Sequence, residues 1–169
     1  ILALFSIYYL REEHYVSTYV LVWVIILCIC SDIGGYVSGK IFKWKKLTAI
    51  SPNKTLSGVV GSFIFSLFSL LVMEKIVIIP LASFLQKELL FGIEIMALHF
   101  LVPKYFFLSI LFSMVAQIGD LIISYFKRLE KIKDTGKILP GHGGILDRID
   151  GLIFVVILAF VLDIYDVFP

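Results

Sequence analysis

The sequence is short of charge and of cysteine. Charged residues fill 17% of its 169 positions, against about 25% in a soluble domain. Hydrophobic residues fill 60% and the mean hydropathy is +1.01. Together these exclude an ordinary cytosolic globule and an intrinsically disordered chain. Cys28 and Cys30 are the only cysteines, two apart inside VIILCIC. That excludes a secreted disulfide scaffold and reads as two small buried hydrophobes. Internal repeats, low-complexity linkers and signs of a second domain are also missing. What remains is an integral membrane protein.

The apolar runs predict an all-α fold, a polytopic helical bundle in the membrane with basic loops on the cytoplasmic side. ILALFSIYYL opens the chain without an initiator Met, so residues 1–169 read as a single membrane domain, the C-terminal catalytic part of a longer chain. The opening is not a signal peptide, because a basic n-region and a small-residue cleavage site are missing. REEH at 11–14 reads as a polar loop. Spans are expected from 15 towards 38, over 58–73, over 105–126 and over 151–168. Gly58 and Gly61 predict close helix approach at the start of the second. Residues 74–103, broken by Pro80, Glu94 and Pro103, read first as an interfacial or re-entrant excursion and second as a pair of tilted helices, with His99 at the interface.

Eleven of the 15 basic residues fall in two windows. Lys40, Lys43, Lys45, Lys46 and Lys54 make the first; Lys127, Arg128, Lys131, Lys133, Lys137 and Arg148 make the second. The positive-inside rule puts both on one face. The same lysines can serve topology alone or meet a polyanionic substrate.

Two acidic features stand out. Asp120 lies within an apolar span, where a carboxylate costs at least ~2.5–3.5 kcal/mol; it needs a polar cavity, a cation or a helix-packing partner. Asp147 and Asp150 are three apart at the start of the last span, which suits paired oxygen ligands for Mg²⁺ as well as a charged helix end. Just before them, Pro140-Gly141-His142-Gly143-Gly144 can bring backbone N–H groups to phosphate oxygens or form a tight turn. Gly34 to Lys40 nearly spells a P-loop, but Ile41 replaces the final Ser/Thr and no strand precedes it.

These stretches resemble a known family. Ser124, then Lys127-Arg128, Lys133-Asp134, Pro140 to Gly144 and Asp147-Arg148-Ile149-Asp150 are similar to the signature of phosphatidate cytidylyltransferases, also called CDP-diacylglycerol synthases. Gly119-Asp120, Asp32-Ile33-Gly34-Gly35-Tyr36 and Ser51-Pro52-Asn53-Lys54-Thr55 look like earlier motifs of that family. Many members carry Glu or Gln where Ser57 stands. The resemblance implies condensation of CTP with phosphatidic acid to CDP-diacylglycerol and pyrophosphate. It implies Mg²⁺, alone or with a second cation, on Asp120, Asp147 and Asp150. Lys127, Arg128, Lys133 and Arg148 would clamp phosphates, with Asp134 among the catalytic residues and His142 a positioning donor. Asp32, Ser51, Lys54, Thr55, Ser124, Gly143 and Gly144 would bind substrate. The expected partners are CTP, phosphatidic acid and membrane lipids, in a monomer or a homodimer, with no nucleic acid. The expected place is a bacterial inner membrane with the site facing the cytoplasm. Two rivals stay open: a cation or proton transporter using Asp120, and a CDP-alcohol phosphotransferase, whose Asp-Gly-x-x-Ala-Arg motif is absent.

Overall fold

The structure is a computed structural model. It describes residues 1–12, 15–48, 51, 54–73, 75, 103–132, 135–136, 146–165 and 167–168, excluding the side chains of 12, 15–17 and 146–148. The described part is helical: α1 (Leu2–Glu12), α2 (Tyr15–Phe42), α3 (Leu56–Val72), α4 (Pro103–Leu129) and α5 (Leu146–Ile164). Of the predicted 11–14 loop, Arg11 and Glu12 instead continue α1, and 13–14 lie outside the described residues. The last span starts at Leu146, earlier than 151, because Asp147 to Asp150 form a first helical turn instead of a loop. The expected excursion over 74–103, with His99, lies outside the described residues apart from 75 and 103.

Two helical segments, Thr18–Phe42 and Pro103–Leu129, are long and apolar enough to cross a membrane. Their packing separates a membrane helix from the core helix of a soluble protein. On α3 the buried side is Ser57, Gly58, Gly61, Ser62, Ser66, Ser69 and Leu70. The outward side is Leu56, Val60, Ile64, Phe68 and Leu71. On α4, Ser109, Ser113, Ala116 and Gly119 face inward with Phe112, while Phe107, Leu111, Met114, Ile118 and Ile122 face out. Small and hydroxyl residues inside with large apolar residues outside is the pattern of helices surrounded by lipid.

The small residues let backbones meet. A Cβ on Gly58 would lie 2.9 Å from the Gly35 carbonyl oxygen, and one on Gly61 would strike Ser38. Gly34 and Gly35 are thus packing glycines within α2, which accounts for the P-loop-like string. The hydroxyls are satisfied across the same seams. Ser62 Oγ donates to the Ser31 carbonyl at 2.9 Å, Ser31 and Ser113 share a bond of 2.8 Å, and Trp23 Nε1 donates to Ser69 Oγ at 3.2 Å. Trp23, Leu27, Phe112 and Val155 fill the core; Cys28 is buried with them, as expected, whereas Cys30, two positions on and so turned to another side of α2, is only half-buried. Phe160 of α5 packs edge-on against Phe5 and Tyr9 of α1.

The chain direction gathers one end of the bundle. The C-terminal ends of α2 and α4 and the N-terminal ends of α3 and α5 meet there. The described residues of both basic windows therefore lie at the same end, as the sequence implied.

Candidate active site

Lys54 reaches the bundle through a short backbone clip. Leu47 N–H donates to the Lys54 carbonyl at 2.8 Å, Leu56 N–H donates to that of Lys45 at 3.0 Å, and Lys46 bridges Thr55 in antiparallel fashion. Thr55 then caps α3: its Oγ1 accepts the Gly58 N–H at 3.1 Å and bonds Ser57 Oγ at 3.0 Å. Ser57, where the family pattern differs, is buried and also accepts the Trp44 N–H at 3.5 Å. The clip and cap fix where Lys54 projects.

The Lys54 ammonium forms an ion pair with the Asp120 carboxylate and donates to the Gln117 carbonyl oxygen at 3.5 Å. Ser124 Oγ, one turn on in α4, donates to Asp120 Oδ1 at 3.3 Å. Asp150 in α5 faces Asp120, takes the Gly151 N–H on Oδ1 at 2.9 Å and pairs with Lys127 at 3.8 Å. Lys127 and Asp150 are each 13% exposed, against 26% for Lys54 and 33% for Asp120. Solvent therefore screens the Lys54–Asp120 pair more than the Lys127–Asp150 pair.

Lys54, Gln117, Asp120 and Asp150 border a cavity of about 550 Å³. Asp32, Ser51, Lys54, Thr55, Asp120 and Asp150 line it. Residues from sequence positions more than a hundred apart thus share one space. Ser124 and Lys127 do not line it, but bond the lining residues Asp120 and Asp150. Arg128 does not line it: the side chain is exposed and donates to the Ile132 carbonyl at 3.2 Å. Asp147 and Arg148 lie in the first turn of α5, with side chains outside the described residues. Lys133, Asp134, His142, Gly143 and Gly144 lie outside them altogether.

Sequence reasoning missed Gln117, Tyr36 and Ser62 as cavity residues. Gln117, a polar residue one turn before Asp120, was a usable signal. Ser62 was not, since a serine in an apolar run does not announce which way it faces.

Among the described residues no three His, Cys, Asp or Glu side chains converge as a metal cage. The donor set still fits a hard divalent cation. Mg²⁺ is commonly held by one or two carboxylates together with waters and substrate phosphates. Asp120 and Asp150 supply the carboxylates, and carboxyl groups around the cavity outnumber ammonium groups.

Fold and cavity together define a class: a helical membrane protein with a carboxylate- and lysine-lined chamber at its basic end. The match to known proteins is more particular. The chain belongs to the cytidylyltransferase family, whose model matches residues 1–165. It is 38% identical over 135 residues to a phosphatidate cytidylyltransferase of Helicobacter pylori, covering 79% of this chain and 43% of that one. A protein of that name from Staphylococcus saprophyticus is 38% identical over 160 residues, with 92% and 52% covered. One from Rickettsia conorii is 38% identical over 149 residues, with 85% and 59% covered. The chain thus spans roughly half the length of these relatives. The match includes α1, further towards the N-terminus than the motif from Asp32 to Tyr36.

Proposed function

We propose that this chain carries the catalytic chamber of a phosphatidate cytidylyltransferase, joining CTP to phosphatidic acid at the cytoplasmic face of a bacterial inner membrane. The observation that carries the reading is the meeting of Lys54, Asp120 and Asp150 around one cavity, with Lys127 of the second basic window paired to Asp150. The names of the relatives support the substrates.

In this reaction a phosphatidate oxygen attacks the α-phosphorus of CTP. A new P–O bond forms, the bond to the β-phosphate oxygen breaks, and pyrophosphate leaves with the electron pair. The attacking oxygen is already ionised, so no strong general base is needed. Attacker and leaving group are both anionic, so the protein's task is alignment and charge neutralisation. Lys54 supplies positive charge beside Asp120, and Lys127 beside Asp150. Ser51 and Thr55 offer hydroxyls along the cavity wall. Ser124 holds Asp120 by its hydrogen bond, and Gln117 fixes the Lys54 ammonium through its carbonyl. Asp120 and Asp150, joined by Asp147, would hold Mg²⁺; when bound it supplies charge neutralisation at the phosphates. Lys133, Asp134, His142, Gly143, Gly144 and Arg148 keep the phosphate-binding and positioning roles that the family signature implies.

The transporter reading accounts for an acid within the bundle but not for two lysines brought to it. The test uses CTP labelled at the α- or the γ-phosphate, with purified protein and mixed micelles. The α-label should enter a chloroform-soluble product only when phosphatidic acid is present, and the γ-label should stay in the aqueous phase as pyrophosphate. Release of both labels without lipid product would overturn the assignment.

A further inference from the structure

At the end of α2 the cavity wall continues onto the outer surface. Tyr36 lines the cavity and is 68% exposed. The Lys40 ammonium lies 5.6 Å from its ring centroid. One turn on, Ile41, Phe42 and Trp44 are all exposed large apolar side chains, and the rings of Phe42 and Trp44 lie 6.4 Å apart. Exposed Lys43, Lys45 and Lys46 alternate with them. No Asp or Glu stands between Asp32 and Glu74 in the sequence.

The arrangement is held by backbone. Lys43 adopts φ 48° and its N–H donates to the Gly39 carbonyl at 3.2 Å, ending α2. The Trp44 N–H then reaches buried Ser57, and the clip from Lys45 to Leu47 follows. Lys43 takes a left-handed backbone position, and the aromatic side chains on either side of it are exposed instead of packed into the core. Aromatic rings favour the headgroup level of a bilayer, and clustered lysines attract anionic headgroups.

We infer that Lys40 to Lys46 form a docking collar for the phosphatidate headgroup, at the side of the cavity marked by Tyr36. The aromatics seat the collar at headgroup depth, the lysines gather the phosphomonoester, and Tyr36 with Lys40 joins that surface to the chamber. This rests on the proposed function for the identity of the lipid. A phosphomonoester carries up to two charges, against one on a phosphodiester headgroup, so a dense lysine row favours it.

Trp44 serves as the probe. The full-length protein is reconstituted in phosphatidylcholine nanodiscs doped with dibrominated lipid, and the signal of a Trp44→Phe variant is subtracted. Brominated phosphatidate at low mole fraction should quench Trp44 several-fold more than brominated phosphatidylcholine or brominated phosphatidylglycerol at the same fraction. A Lys43→Gln/Lys45→Gln/Lys46→Gln variant should lose that excess. In turnover it should raise KM for phosphatidate by roughly fivefold or more, with KM for CTP and kcat unchanged. Equal quenching by all three lipids would overturn the collar while leaving phosphatidate-dependent turnover, and so the proposed function, intact. Equal quenching by phosphatidate and phosphatidylglycerol alone would overturn its selectivity for the phosphomonoester.

Discussion

Asp120 draws together Lys54, Ser124 and Asp150 from three other positions in the chain. Its conversion to Asn keeps the volume and an oxygen for Ser124 but removes the charge. Turnover should fall by at least ~10²-fold, the scale for loss of a key electrostatic group. The thermal midpoint should change little, because the Lys54 pair is partly solvated and such pairs contribute only about 0–1 kcal/mol. Asp150→Asn should behave alike in turnover and also weaken Mg²⁺ dependence, measured as the cation concentration giving half-maximal rate. Near-normal rates in both variants would remove the two carboxylates from the site. Both residues were legible in the sequence, because an ionisable group inside or at the end of an apolar run must be accounted for. Gln117, a polar residue in the same apolar run, gave the same signal, but that its backbone carbonyl meets Lys54 while its side chain bonds Ser113 was visible only in the structure.

Helix contacts were legible where glycine marks them and opaque where serine does. Gly58 and Gly61 announced a close approach, and α2 meets α3 there. Gly61→Val should therefore destabilise the protein by about 1–3 kcal/mol, because its side chain would enter Ser38 and the Gly34 carbonyl; a thermal melt in detergent measures this. Hydropathy finds a span from composition but not its azimuth, so the inward rows of Ser62, Ser66, Ser69, Ser109 and Ser113 could not be read beforehand. Helix ends were placed short for a related reason. Lys127 and Arg128 are polar yet remain in the last turn of α4, where cations favour the helix dipole. That helix closes with a Schellman pattern: Ile132 N–H to the Lys127 carbonyl at 3.0 Å and Lys131 N–H to that of Arg128 at 3.1 Å. Lys131 sits there at φ 57°. Lys131→Gly should accordingly raise stability by up to about 1 kcal/mol, read from the same melt.

At the scale of the whole molecule, topology places the chemistry. α2 and α3 form one antiparallel pair and α4 and α5 another, so two basic windows far apart in sequence share one end. The charge distribution already implied this, whereas the Lys54–Asp120 link between the two pairs needed the structure. Cysteines replacing exposed Lys45 and Lys131 should react with an impermeant thiol reagent from the same side of sealed vesicles, and labelling from opposite sides would break the single-chamber account. The most direct measurement of that account compares wild type with Lys54→Met in the transfer of α-phosphate label from CTP to chloroform-soluble lipid. The first basic window must contribute to a reaction centred on the second. The account predicts phosphatidate-dependent product from wild type and a loss of at least ~10²-fold in the variant, with the bundle still folded. Wild-type rates from a folded Lys54→Met protein would contradict it.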